Sequence, residues 1–514
     1  MRGTQCRCIM RAMRLSVIKK YRGEIISGVF LFLLFLLTRL INLKLIPLFV
    51  DEAIYLRWAQ IAKFDSNWRF ISLTDGKQPL FVWATMVMMK LIKDPLVAGR
   101  LVSVITGWLT AIGLGLLSYR LFSRRRLAFF CALLYVIGPF YLFYDRMALM
   151  DAMVGTFSVY ALFMAVLLVQ TLRLDVALIL GAVLGGGILT KSSGFLSIYL
   201  LPLTLLLFDW KNKKWRFNLL KWASLALLAV IISQLFYNIL RLSPFFNLIA
   251  QKNTLFIYPL AEWRQHPWLF FLGNLRGLID WLTSYLTWPV VALVLAPLFF
   301  LRQKPRQILL LYGWWLAPFV ALALFGKVLF PRFILFMSLP LLILAAYFLE
   351  ELAKKIKNQW LFSLILLLLF SYPLYFDVSL LFHPQTAPLP RSDKGQYLDE
   401  WPAGYGVNEV VAFAKKEAEN QEIFIATEGT FGLMPYSLEL YLWDNPRIKT
   451  KGYWPVKAIP EEVLAIAQEK PTYFVFNETQ EIPPEWPLKL ISQYFKGNGQ
   501  TRMSLYQVVA DEVD

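Results

Sequence analysis

The chain has 514 residues, 58% of them hydrophobic and only 17% charged, a balance that excludes a water-soluble globular protein of this size. Its net charge of +18 invites a nucleic-acid partner, but the residues from Asp377 onward carry a net −8 and the part before them +26. That excess sits mainly in short loops between apolar runs, where it sets membrane orientation, so nucleic acid is not expected as a partner. Cys6, Cys8 and Cys131 form neither a disulfide framework nor a zinc spacing.

Apolar runs of about 17–25 residues recur from Ile26 to Phe376, each long enough to cross roughly 30 Å of hydrocarbon as a helix. The basic stretch MRGTQCRCIMRAMRLSVIKKYRGE leads into a long run with no small-residue cleavage pattern, which reads as a retained first helix with a cytoplasmic N-terminus. With the basic clusters taken as cytoplasmic, eleven spans are expected near 26–44, 96–119, 127–143, 152–172, 175–190, 194–209, 220–241, 280–301, 307–325, 333–349 and 360–376. PLFVWATMVMMKLI (79–92) is short for a span and, if it crossed, would put Arg124, Arg125 and Arg126 outside; it is expected as a juxtamembrane or re-entrant helix.

This arrangement makes 1–376 a transmembrane domain with external loops 45–95 and 242–279. It is followed by a Pro-rich linker at 377–395 and an external α/β domain at 396–514. In that last part VNEVVAFAKKEAEN and IPEEVLAIAQEK have helical periodicity. EIFIATEG, PTYFVFNET, LKLISQYF and MSLYQVV read as strands.

The unusual polar residues converge on the outer side. VDEAIYLRWAQIAKF (50–64) is an amphipathic helix expected to lie in the interface plane, its polar face toward a cavity. Asp51 and Glu52 open it, and their plain alternative is to cap the helix and complement its dipole. Lys77 stands at the water boundary, able to reach a lipid phosphate or merely to snorkel. Asp145, Arg146 and Asp151 share one turn, Lys191 lies in TKSSG, and Lys327 and Arg332 precede a late span. Each cation alone reads as an anchor, but several such turns facing an acidic pair point to an anionic substrate. His266 and His383 are the only histidines, and His266 lacks a spaced partner for a metal. Gly185, Gly186 and Gly187 read as a close-packing stretch, and NET (477–479) matches a glycosylation acceptor.

These residues resemble the polyprenyl-phosphate-dependent glycosyltransferases of the GT-C fold, in particular the protein O-mannosyltransferases and the bacterial aminoarabinose transferases. The resemblance rests on Asp51-Glu52 followed by Tyr55, on Lys77-Gln78-Pro79, and on DRMALMD, LTKSSGF and PRFILFMSLPLLILAA. Gly76 stands where the aminoarabinose transferases carry Glu, and Gln78 separates Lys from Pro.

The resemblance implies an α-helical polytopic enzyme of the plasma membrane that transfers a sugar from a polyprenyl phosphate to a hydroxyl on protein, lipid or glycan, with inversion. Asp51 would be the general base, with Glu52 orienting the acceptor or supporting a divalent metal ion, the one candidate cofactor. Tyr55, Lys77, Arg146, Asp151, Lys191 and Arg332 would bind substrate. A lipid or sugar-lipid flippase would instead place its charges at the midplane and show internal repeats, and a non-catalytic sugar-lipid binder would tolerate Asp51→Asn.

Overall fold

The computed structural model describes residues 22–300 and 303–509. The basic N-terminal stretch with Cys6 and Cys8 lies outside them. Helix α1 (Arg22–Leu40) is followed by α2 (Val50–Phe64), the short α3 (Leu80–Met88) and the 28-residue α4 (Pro95–Phe122). Asp94 caps α4, its side chain accepting from Val97 N, and Pro95 fits the first turn, where no backbone donor is needed. At 1.5 Å per residue α4 is about 42 Å long and α3 only about 14 Å. So α3 does not reach across a bilayer, in line with its expected juxtamembrane place.

Helices α5 (Arg125–Val136) and α6 (Pro139–Asp145) form one apolar pair bent by 60°. Then come α7 (Met150–Thr171), α8 (Leu174–Thr190) and α9 (Trp215–Asn238). Helix α10 (Leu248–Phe256) lies in the long loop, and α11 (Phe271–Leu286) and α12 (Trp288–Leu295) form a second pair bent by 106°. The membrane part ends with α13 (Pro305–Phe325), α14 (Leu335–Lys355) and α15 (Gln359–Phe382). Among the described residues seven helices are long and apolar enough to cross a membrane, nine if each bent pair is one span. The expected spans at 175–190 and 194–209 fall on the shorter apolar segments Leu174–Thr190 and Ser192–Leu207.

Burial sorts these helices. The segment Pro331–Lys355 is almost wholly enclosed and forms the centre of the bundle, whereas α1 and α9 turn Leu33, Leu37, Phe217, Leu220 and Leu235 outward. Apolar side chains exposed in rows along a helix are what a lipid-facing surface requires. Gly186 meets Phe157 of α7 so closely that an added Cβ would lie 2.3 Å from its ring, and Gly185 meets Phe236 of α9 in the same way. The glycine stretch is thus a packing seam, as expected.

The C-terminal region carries a five-stranded sheet in the order β2-β1-β3-β5-β4. Strands β1 (Ile423–Glu428), β2 (Ile448–Tyr453) and β3 (Thr472–Phe476) run parallel; β4 (Leu488–Phe495) and β5 (Arg502–Val508) form an antiparallel pair, with β5 antiparallel to β3. β1 and β3 are buried along their whole length, the mark of parallel strands covered on both faces. Helices α16 (Val407–Glu417), α17 (Tyr436–Leu442) and α18 (Glu461–Glu469) complete the unit. One contiguous cluster of buried side chains runs from Phe35 and Leu56 through Leu341 to Val410, Ile425 and Leu505. The α/β region and the membrane helices therefore share a core.

Three expectations change. Helix α2 does not lie open at an interface: Glu52, Tyr55, Trp58 and Gln60 are all buried, and α17 clasps it through Arg57 to Glu439 (2.9 Å) and Gln60 to the Leu440 carbonyl (3.1 Å). The 377–395 stretch is not a loose linker: α15 continues to Phe382, and Asp393 is buried, accepting from Tyr144 at 2.5 Å and from Tyr285. Asn477 of the NET triplet is 2% exposed and bonded to Trp401 O and Lys496 Nζ, so its side chain does not stand open to a modifying enzyme.

Candidate active site

One cavity of about 1040 Å³ opens where α2, the Gly76 loop, the starts of α7 and α14, the loop after α8, α10 and the C-terminal region meet. Its wall is mostly apolar, with Phe195, Leu196, Pro318, Leu322, Phe325 and Phe336 among the lining residues. The charged side chains Asp51, Asp75, Lys77, Asp151, Lys191, Lys252, Arg332 and Glu400 also line it. A large apolar pocket with a few convergent charges is the general form of a binding site for an amphipathic ligand.

Asp51 sits in the first turn of α2. Its Oδ1 accepts from Lys77 Nζ at 3.4 Å and its Oδ2 lies 2.8 Å from Arg332 Nη2. Burial alone would push its carboxyl up, but Lys77 and Arg332 more than cancel that and hold it at about 2. The cations are themselves seated on rings: Lys77 lies 4.8 Å from the Tyr55 ring centre and Arg332 5.0 Å from that of Phe330. Lys191 donates to Asp151 at 2.6 Å, over the ring of Phe333 at 4.6 Å. Gln78 donates to Ser192 at 2.7 Å, tying the Lys77 loop to the Lys191 loop. The geometry therefore brings together Asp51, Tyr55, Lys77, Asp151, Lys191 and Arg332.

Glu52 and Arg146 are not in the cavity. Arg100 of α4 grips Glu52 with two nitrogens, at 2.9 and 2.8 Å, and the same carboxylate accepts from Phe49 N at 3.0 Å and Ala148 N at 2.6 Å. A carboxylate so fully bonded and wholly buried orients the start of α2 and leaves no lone pair facing an acceptor or a cation. Arg146 donates to the carbonyls of Thr38, Arg39, Ile41 and Asn42, at and just beyond the end of α1, where helix carbonyls lose their intrahelical partners. Its partner in the turn, Asp145, pairs with Arg39 at 3.2 Å. Lys327 faces Glu262 at 3.7 Å and is not among the residues lining the cavity.

Three features escaped the sequence reading. Lys252 of α10 donates to Asp75 at 2.6 Å; it lies in a loop with no motif. Gln396, Trp401, Pro402 and Phe431 bring the C-terminal region to the cavity wall. Arg100 did carry a signal: an arginine inside an expected span demands a carboxylate partner.

A divalent metal finds no donor set. Among the described residues no three His, Cys, Asp or Glu side chains come together as a metal site. In the cavity Asp51, Asp75 and Asp151 are each held by lysine or arginine, and the His266 ring packs edge-on against Tyr258 and Phe270. The described residues do not fit a divalent metal.

Residues 76–237 match the family model described as dolichyl-phosphate-mannose-protein mannosyltransferase. No curated protein sequence matches the chain. Among solved structures, ArnT from Cupriavidus metallidurans bound to undecaprenyl phosphate superposes with a TM-score of 0.59 at 15% identity, over 96% of this chain and 99% of that one. The oligosaccharyltransferase AglB from Archaeoglobus fulgidus, in complex with an inhibitory peptide and a dolichol-phosphate, gives 0.50 at 13% identity, over 89% of this chain and 70% of that one. At such identities the likeness is one of fold, and the fold is GT-C.

Proposed function

We propose, on the premise that this chain is a GT-C-fold glycosyltransferase, that it transfers a sugar from a polyprenyl-phosphate donor to a hydroxyl acceptor with Asp51 as general base. The observation that carries the reading is the placement of Asp51 between Lys77 and Arg332 in the wall of a largely apolar cavity. A prenyl tail fits the apolar wall, and the phosphate belongs beside the cations. Trp401 and Phe431, both partly exposed at the C-terminal side of the cavity, leave room for an acceptor arriving from water.

In the reaction the acceptor oxygen forms a bond to the anomeric carbon while the bond from that carbon to the phosphate oxygen breaks. The hydroxyl proton passes to Asp51, general-base help on the order of 10²–10⁴-fold. The released polyprenyl phosphate keeps the bonding electron pair, and Lys77, Arg332 and Lys191 stabilise the charge that develops on it. A carboxylate held at about 2 is a weak base. A phosphate that takes over Lys77 and Arg332 frees Asp51 from them and raises its proton affinity as the donor settles. Attack from the side opposite the phosphate inverts the anomeric centre.

Glu52 and Arg100 act at one remove by fixing the first turn of α2. The charge pattern supports an outward-facing site, with the N-terminus cytoplasmic and residues 396–514 external, and the family resemblance together with the basic N-terminus supports the plasma membrane. A flippase finds no support in this geometry, since its charges would be expected at the midplane of the bundle.

The test uses the purified chain in nanodiscs with a panel of polyprenyl-phosphate sugars and mass spectrometry of the products. Wild type should release or transfer one of the sugars. Asp51→Asn should bind the same donor and lose at least a hundredfold in turnover. Equal turnover in the two proteins would remove Asp51 as the base.

A further inference from the structure

Every lysine and arginine lining the cavity is already paired. Arg332 and Lys77 share Asp51, Lys77 and Lys252 share Asp75, and Lys191 holds Asp151. The first three cations thus form an alternating chain, Arg332, Asp51, Lys77, Asp75, Lys252, in which three positive groups face two negative ones. A bound phosphodiester carries one negative charge and makes that chain even. It finds no idle cation, so it must enter by exchange.

The Asp75 end of the chain is built for exchange. Asp75 Oδ1 takes the Lys252 ammonium at 2.6 Å, but its buried Oδ2 has no hydrogen-bond partner, with Lys77 Nζ 3.7 Å away. A carboxylate serving as a permanent structural partner would be satisfied on both oxygens. Lys252 is also held in place from behind. Gly76 adopts φ +65°, and a Cβ added there would lie 2.4 Å from Leu248 O and 2.6 Å from Lys252 Cβ, so only glycine lets α10 come this close to the Lys77 loop. Ile249 packs with Leu73, Leu189 and Leu240, and the far end of α10 is fixed by Tyr258 N donating to Phe325 O at 2.8 Å. The helix is anchored at both ends while its lysine faces the cavity.

We propose that Lys252 is a ligand of the donor phosphate and that Asp75 is a positioning residue, which holds the Lys252 ammonium until the phosphate replaces it. The proposal rests on the polyprenyl-phosphate reading above and adds to Lys77, Arg332 and Lys191 a fourth phosphate cation, from a loop outside the motif-bearing segments. On entry the phosphate oxygens take the N–H donors of Lys252 and Lys77, and Asp75 gives them up. No covalent bond changes in this step.

Two variants separate this role from a structural one, because they act in opposite directions. The probe is undecaprenyl phosphate, titrated into nanodiscs carrying the full chain, with undecaprenol as the uncharged control. Lys252→Gln should weaken binding of the lipid phosphate at least tenfold, Lys252→Arg should retain it, and Asp75→Asn should tighten it by removing the competing carboxylate. Undecaprenol should bind all four proteins alike. If Lys252→Gln binds as wild type does, or if both Lys252→Gln and Asp75→Asn weaken binding, the pair merely staples α10 and the proposal falls while the wider reading stands. If wild type itself does not distinguish undecaprenyl phosphate from undecaprenol, the polyprenyl-phosphate reading falls with it.

Discussion

Two adjacent carboxylates, Asp51 and Glu52, are chemically near-identical and end in opposite situations. Asp51 faces the cavity between two cations, and Glu52 faces inward, wholly buried against Arg100. The difference follows from helical geometry, since consecutive residues point about 100° apart. Glu52→Ala leaves the Arg100 guanidinium buried without a counter-charge, a loss of about 3–5 kcal/mol. Thermal unfolding in detergent should show that loss directly, as a fall in melting temperature well beyond any caused by Asp51→Asn. From the sequence the pair was legible as special but its division of labour was not, because motif position does not say which way a side chain turns. Arg146 misled for the same reason. A boundary arginine beside two aspartates looks like an anion ligand, yet four backbone carbonyls at the end of α1 absorb its donors.

Among the elements, the long apolar helices and the strands of the α/β region were readable because their periodicity is strong. What escaped was short or polar. β2 reads IKTKGY and sits at the edge of the sheet, where lysines discourage pairing with another chain and erase the apolar alternation that marks a strand. α17 has only seven residues, and its importance lies in what it clasps. The 377–395 stretch looked like a linker because proline and polar residues dominate its second half, but Asp393 pins it between Tyr144 and Tyr285. Burial pushes the Asp393 carboxyl up to about 6, against the tyrosine hydrogen bonds, which pull it down. The folded state therefore binds the proton more tightly than the unfolded chain. The stability this brings is fully present below about pH 4 and is lost as pH rises toward 6. Asp393→Asn should accordingly raise the melting temperature at pH 7.5, by the equivalent of up to about 3 kcal/mol, and leave it nearly unchanged at pH 4.

At the scale of the whole molecule, the membrane bundle and the α/β region behave as one body, because a single buried cluster passes through both. The region also reaches the site itself. Val50 N, one residue from Asp51, donates to Pro402 O at 3.0 Å, and Phe49 forms a bridge with Ala403. The carbonyl of the preceding residue, Trp401, is held by Lys496 Nζ at 2.9 Å and by Asn477 at 3.1 Å. Deleting the residues after Ala403 should thus do more than remove an appendage. It uncovers the apolar faces of α2 and frees its first turn, so the shortened chain should aggregate on size-exclusion chromatography or, if it stays soluble, fail to retain undecaprenyl phosphate. The sequence marked this region as a different solvent class by its acidic balance. It did not show the docking, since contacts between distant segments leave no local periodicity.

The alternating chain from Arg332 to Lys252 has one further consequence. In the proposed reaction the phosphate would gain a second negative charge as the sugar departs, and Asp51 would at the same moment lose its own by accepting the hydroxyl proton. Both events fall within a line of side chains joined by contacts of 2.6–3.7 Å, so the total charge enclosed there is the same before and after transfer. On that proposal the chemical step would shift charge over only a few ångströms, and a membrane potential or added salt would act instead on the arrival of the lipid phosphate and on its release.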